Sequence, residues 1–113
     1  MNYDRMQERT RSAMLNPKPG NLFSEFLSYW VIVLDVQGQN VFYATKSPGA
    51  EWEYFRTNQA GFRSRYSYGN IKGYWVSYHS TKIDLADKVR ENQTAPFVEN
   101  PIIRRNKISQ VVV

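Results

Sequence analysis

Ser28-Tyr29-Trp30-Val31-Ile32-Val33-Leu34-Asp35-Val36 is the stretch that decides the fold class. β-branched and aromatic residues fill it, and its apolar side chains run almost without a break. A strand with one wet face alternates between apolar and polar residues. This one does not, so it predicts a central strand covered on both faces for part of its length. Gln37-Gly38-Gln39-Asn40 is a turn signal, and Val41 to Lys46 reads as the returning strand of a hairpin. Ser47-Pro48-Gly49 then breaks that strand.

Further along, residues 51–57 alternate in part, with Trp52 and Tyr54 on one face and Glu51 and Glu53 on the other. Asn58 to Gly61 reads as a turn. Residues 62–68 alternate more cleanly, with Phe62, Tyr66 and Tyr68 opposite Arg63 and Arg65. Gly69 to Gly73 is another turn, and residues 73–80 read as a further strand. Together these segments predict a three-stranded meander over 54–82.

Before the central strand, residues 4–14 are rich in helix formers and lack Gly and Pro. Pro17, Pro19 and Gly20 end that helix. Leu22, Phe23, Phe26 and Leu27 fall at helical spacing, which predicts a short helix or turn pinning the sheet through its two phenylalanines. After the meander, Thr81-Lys82-Ile83-Asp84 has the spacing of a capping box, and Ile83, Ala86 and Val89 predict a helix over 83–92. Ala95-Pro96 stops it. The expected fold is therefore α+β: an antiparallel sheet of about five strands, an N-terminal helix, and one helix after the sheet. Residues 1–20 form the helical segment, 21–94 the core, and 95–113 a tail that docks, adds an edge strand or stays mobile. All belong to one domain.

The 113 residues suit one domain and can bury a modest core without covalent staples. A composition 42% hydrophobic and 15% aromatic is too apolar for a disordered chain. The chain contains no cysteine, which excludes disulfides and thiolate metal sites. Its longest apolar run, Trp30 to Leu34, falls far short of the roughly 20 residues a membrane-spanning helix needs. The first fifteen residues mix charged and polar side chains with no apolar stretch of signal-peptide type. A soluble, cytoplasmic protein without membrane contact is the expectation.

Net charge is +5, which favours anionic partners. More telling is where the charge sits. Between Glu53 and Asp84 the sequence has no acidic residue, while Arg56, Arg63, Arg65, Lys72 and Lys82 stand among eight Tyr, Phe and Trp residues and His79. Single-stranded nucleic acids are held by cations on the backbone and aromatic rings on the bases. On a strand, Arg63 and Arg65 would share a face and suit two adjacent phosphates. Arg63, Arg65, Trp75 and His79 are thus the sharpest candidate site, extended by Arg56 and Lys72. The competing account is plain: a small sheet needs aromatics for its core, and basic side chains opposite them make an ordinary solvated face.

Enzymatic constellations are missing. A single histidine rules out a multi-histidine metal site. GxxxxGK[ST] and GxGxxG phosphate loops are absent, as are the signatures of common RNA-binding domains. No acid, base and nucleophile are assembled, and no cofactor is expected. Arg104-Arg105-Asn106-Lys107 makes a short basic cluster in the tail. The function expected from the residues is a non-enzymatic module that binds a nucleic acid or another phosphate-bearing ligand. The alternative is a protein-interaction module: an inhibitor, regulator or assembly component, self-associating or not, of the kind found among viral and mobile-element accessory proteins.

Overall fold

A computed structural model describes residues 3–68 and 71–99. β2 (Tyr29–Gln37) is the central strand the sequence predicts. Val31 and Val33 enter one apolar cluster, while Ile32 and Leu34 enter a second. Alternate side chains on a strand point to opposite faces, so a continuous apolar run requires cover on both. Two layers of helix supply it.

The main sheet has six strands in the order β7-β1-β2-β3-β4-β8. β2 pairs with β3 (Asn40–Lys46) as the expected hairpin, and β3 pairs with β4 (Glu53–Asn58). All pairs are antiparallel except the last, where the short β8 (Val98–Glu99) lies parallel to β4. The tail therefore begins as an edge strand. Its basic cluster at 104–107 and its valine end lie outside the described residues.

On one face, α1 (Tyr3–Leu15) and α2 (Gln59–Tyr66) cover Phe23, Val31, Val33, Tyr43 and Val76. On the other, α3 (Ile83–Glu91) lays Ala86 and Val89 over Leu22, Ile32, Leu34 and Ala44. Gly20 joins α1 to the sheet at φ +92°, a left-handed conformation that costs glycine little. Its N–H donates to the Val33 carbonyl at 2.8 Å, and its own carbonyl accepts from the Lys82 N–H at 2.7 Å. No helix among the described residues is long and apolar enough to cross a membrane.

Four local expectations are corrected. Residues 21–27 form no helix: β1 (Asn21–Glu25) pairs with β2 and β7, and the expected turn is confined to 26–28. Leu22 and Phe23 point into different clusters, and adjacent apolar residues in a doubly covered strand imitate helical spacing. Residues 62–68 are not a strand. Asn58 caps α2, its Oδ1 accepting the Gly61 N–H at 2.7 Å, and Phe62 and Tyr66 are buried one helical turn apart. Residues 73–80 are not one strand either. β6 (Ile71–Tyr74) pairs with β5 (Ser67–Tyr68) in a separate ladder, and a bend at Trp75-Val76 separates it from β7 (Ser77–Thr81). Finally, α3 has no capping box. Lys82 stands at its N-cap without a side-chain bond, and Thr81 bonds to Tyr78 instead.

Candidate functional site

The helical assignment of 59–66 changes the geometry of the predicted cations. Residues two apart on a helix are separated by roughly 200° of rotation, so Arg63 and Arg65 do not share a face. Arg65 does meet Trp75. Its guanidinium carbon lies 5.6 Å from the indole centroid and 5.4 Å from the Tyr66 ring. The indole N–H donates to the Arg65 carbonyl at 3.2 Å. Trp75 also packs on Tyr66 at 5.3 Å and on Tyr29 at 5.4 Å. Its ring is engaged in packing on both neighbours rather than presented as a stacking platform.

The other predicted residues lie elsewhere. His79 is exposed on β7, where a bulge opposite Leu22 and Phe23 shifts the register. Its ring contacts Trp30 at 5.6 Å, on the α3 side of the sheet, whereas Trp75 packs with the cluster under α1 and α2. Arg56 is exposed on β4, in register with Phe42 and Glu99. β4 and β7 are four strand spacings apart, ~19 Å. Lys72 falls on β6, outside the residues whose side chains are described. Arg65 and Trp75 are thus brought together, while His79 and Arg56 are not joined to them.

A different set of polar residues converges. A cavity of about 380 Å³ lies between α1 and the β1–β7 edge. Arg9 and Ser12 reach it from α1, three residues apart on one face, and Asn16 from just past the helix end, its N–H donating to the Ser12 carbonyl at 3.2 Å. Lys18 comes from the following loop, Asn21 from β1, and Tyr78 and Thr81 from β7. No carboxylate lines it. Its floor is fixed by hydrogen bonds. The buried Asn21 accepts from the Lys18 N–H at 2.9 Å through Oδ1 and donates from Nδ2 to the Thr81 hydroxyl at 3.4 Å. The Tyr78 and Thr81 hydroxyls are 2.6 Å apart. The Arg9 guanidinium sits 5.3 Å over the Tyr78 ring, a cation–π contact that orients the long side chain.

Two cations, two side-chain amides and three hydroxyls around one concavity can bind an anion. A second cavity of about 260 Å³ lies beside β3, β4 and α2, lined by Tyr29, Thr45, Ser47, Glu53, Arg65 and Tyr66 among others. There Glu53 balances Arg65, so the charge selects no anion. Among the described residues, no group of three His, Cys, Asp or Glu is placed to hold a metal ion.

The α1 pocket was not readable in the sequence as a site. Arg9 looks like a solvated helix residue, Asn16 like an ordinary polar residue at a helix end, and Lys18 stands inconspicuously between two prolines. Only the pairing of Asn21 with Thr81, sixty residues on, brings them opposite β7. No family model, curated protein or solved structure matches this chain.

Proposed function

We propose that this chain is a non-enzymatic module that binds a phosphate-bearing ligand in the pocket between α1 and the β1–β7 edge. One observation carries this reading: Arg9 and Lys18 line a concavity that contains amides and hydroxyls but no carboxylate. Charged donors to phosphate oxygens make short, strong hydrogen bonds, and neutral donors fill the remaining lone pairs. A cavity of about 380 Å³ is at the small end of ligand sites and suits one phosphate with its ester group rather than a duplex. The net charge of +5 supports the same sign of partner.

The test compares two surfaces. Inorganic phosphate, a nucleoside monophosphate and a short single-stranded oligonucleotide are titrated into the wild type, into R9A/K18A and into R63A/R65A. The pocket reading expects R9A/K18A to lose about tenfold or more in affinity and to flatten the salt dependence by about one unit of log–log slope per phosphate contact removed. R63A/R65A should bind as the wild type does. If instead R63A/R65A loses affinity and R9A/K18A does not, the ligand sits on the α2 surface with Trp75. If none of the three ligands binds, the phosphate reading fails.

A further inference from the structure

The loop between β1 and β2 carries the most unusual local conformation among the described residues. Phe26 and Leu27 both adopt positive φ, 49° and 63°. Left-handed backbone is unfavourable for any side chain with a Cβ, and hairpin tips of this kind are normally built from Gly or Asn. These two residues are also apolar and turned outward: Phe26 is 93% exposed and Leu27 69%. Strain and apolar exposure therefore coincide at one point, held by the Ser28 N–H bond to the Glu25 carbonyl at 2.9 Å. Backbone strain that persists in a fold marks a functional position more often than a defect.

The chain also carries a matching recess. Leu22, Trp30, Lys46, Trp52 and Leu85 line a cavity of about 320 Å³ on the α3 side of the sheet. Its walls are two indoles and two leucines, and it has room for a phenyl ring and an isobutyl group. The only charged residue lining it is Lys46, while the residue preceding the tip is Glu25. Knob and recess are thus complementary in shape class and in charge. Trp30 lies in register with Ser24 on the same hairpin, so both features are held by the same pair of strands.

We infer that two copies of this chain associate by reciprocal exchange of hairpin tips, Phe26 and Leu27 of each seating in the Trp30–Trp52 recess of the other, with Glu25 facing Lys46. A reciprocal contact closes on itself under two-fold symmetry, so a dimer forms and not a fibre. The interface buries few residues, which makes the dimer weak and concentration-dependent. This association is independent of the phosphate pocket, which lies at the α1 edge.

Sedimentation equilibrium of the full chain from micromolar to millimolar concentration tests it. The wild type should show a monomer–dimer equilibrium. F26N/L27G keeps a hairpin-compatible tip and should weaken the dimer by about tenfold or more. Lys46→Glu should also weaken it, and Glu25→Lys added to that variant should restore it. Circular dichroism confirms that each variant is folded. A wild type that stays monomeric throughout, an F26N/L27G protein that dimerises as tightly as the wild type, or a double charge swap no tighter than Lys46→Glu alone would each overturn the inference.

Discussion

Gln7 occupies the place of a neighbouring strand beside Tyr74. Its Oε1 accepts the Tyr74 N–H at 2.9 Å, and its Nε2 donates to the Tyr74 carbonyl at 3.4 Å. One turn later, the fully buried Thr10 accepts the Tyr78 N–H at 2.8 Å through its hydroxyl, which itself donates to the Met6 carbonyl. The helix α1 thereby satisfies backbone groups of β6 and β7 that would otherwise lie open along a sheet edge. Open edges recruit other strands, so this arrangement also protects the chain from edge-to-edge pairing.

Removing that amide leaves two backbone groups without partners in a half-buried setting. Gln7→Ala should therefore cost about 1–2 kcal/mol of stability. Gln7→Glu retains the acceptor and loses the donor; because the N–H bond is the shorter of the two, it should cost less. Urea denaturation measures both, and amide exchange at Tyr74 should quicken more in Gln7→Ala than exchange at the β2–β3 ladder.

Tyr54 fastens α3 to the sheet. Its hydroxyl donates to the Val89 carbonyl at 2.6 Å, one of the last carbonyls of a helix, which has no partner within the helix itself. Burial raises the Tyr54 pKa, and the nearby Glu51 carboxylate raises it further, so the phenol keeps its proton. Tyr54→Phe should lower stability by about 1 kcal/mol, with the exchange rates of the last turn of α3 rising first.

Tyr66 presents the opposite case. Its side chain is fully buried, and its hydroxyl lacks a hydrogen bond of good geometry even though Tyr29 approaches it. Burial pushes its pKa well above the ordinary tyrosine value, and the Tyr43 and Tyr29 phenols add to the shift. In the unfolded chain Tyr66 ionises near its ordinary pKa of about 10, while the folded protein holds its proton. Between those two values the native state binds more protons than the unfolded one, so stability falls as pH rises above about 10. Below that pH the contribution is fully present. Tyr66→Phe removes an unsatisfied buried hydroxyl; it should be neutral or stabilising at pH 7, and its denaturation midpoint should hold to higher pH than the wild type's.

The residues show why the sheet core was readable and the candidate site was not. Val31 to Leu34 left one physical option, since four consecutive apolar side chains on a strand need two covers. Phe62 and Tyr66 left two. A spacing of four residues fits one face of a strand and one face of a helix equally well, and Arg63 and Arg65 completed the alternation. The deciding signal was Asn58, an N-cap residue that also suits a turn. One such exchange of period carried the predicted arginine pair from a common strand face onto diverging sides of α2. A second exchange of period, over 21–27, made Phe26 a supposed sheet anchor beside Phe23. Phe23 performs that role alone, in edge-to-face contact with Phe62 at 6.0 Å and Tyr78 at 5.8 Å.

Phe26 and Leu27 therefore give the prediction with the least intuitive sign. Replacing two large apolar residues normally destabilises a small domain, because they are normally buried. Here both are exposed, so no cavity is created, and both carry left-handed backbone that costs ~1–2 kcal/mol per residue with a Cβ. Asn at 26 tolerates that region better, and Gly at 27 is free of the penalty. Gly also loosens the unfolded chain, which offsets about 0.4–1 kcal/mol of the gain. F26N/L27G should thus be more stable than the wild type by about 1 kcal/mol and melt a few degrees higher. The comparison belongs at micromolar concentration, where a weak dimer contributes nothing to either protein. A lower melting temperature would mean that the tip packs against its own chain, and the strain at 26 and 27 would then need no partner to account for it.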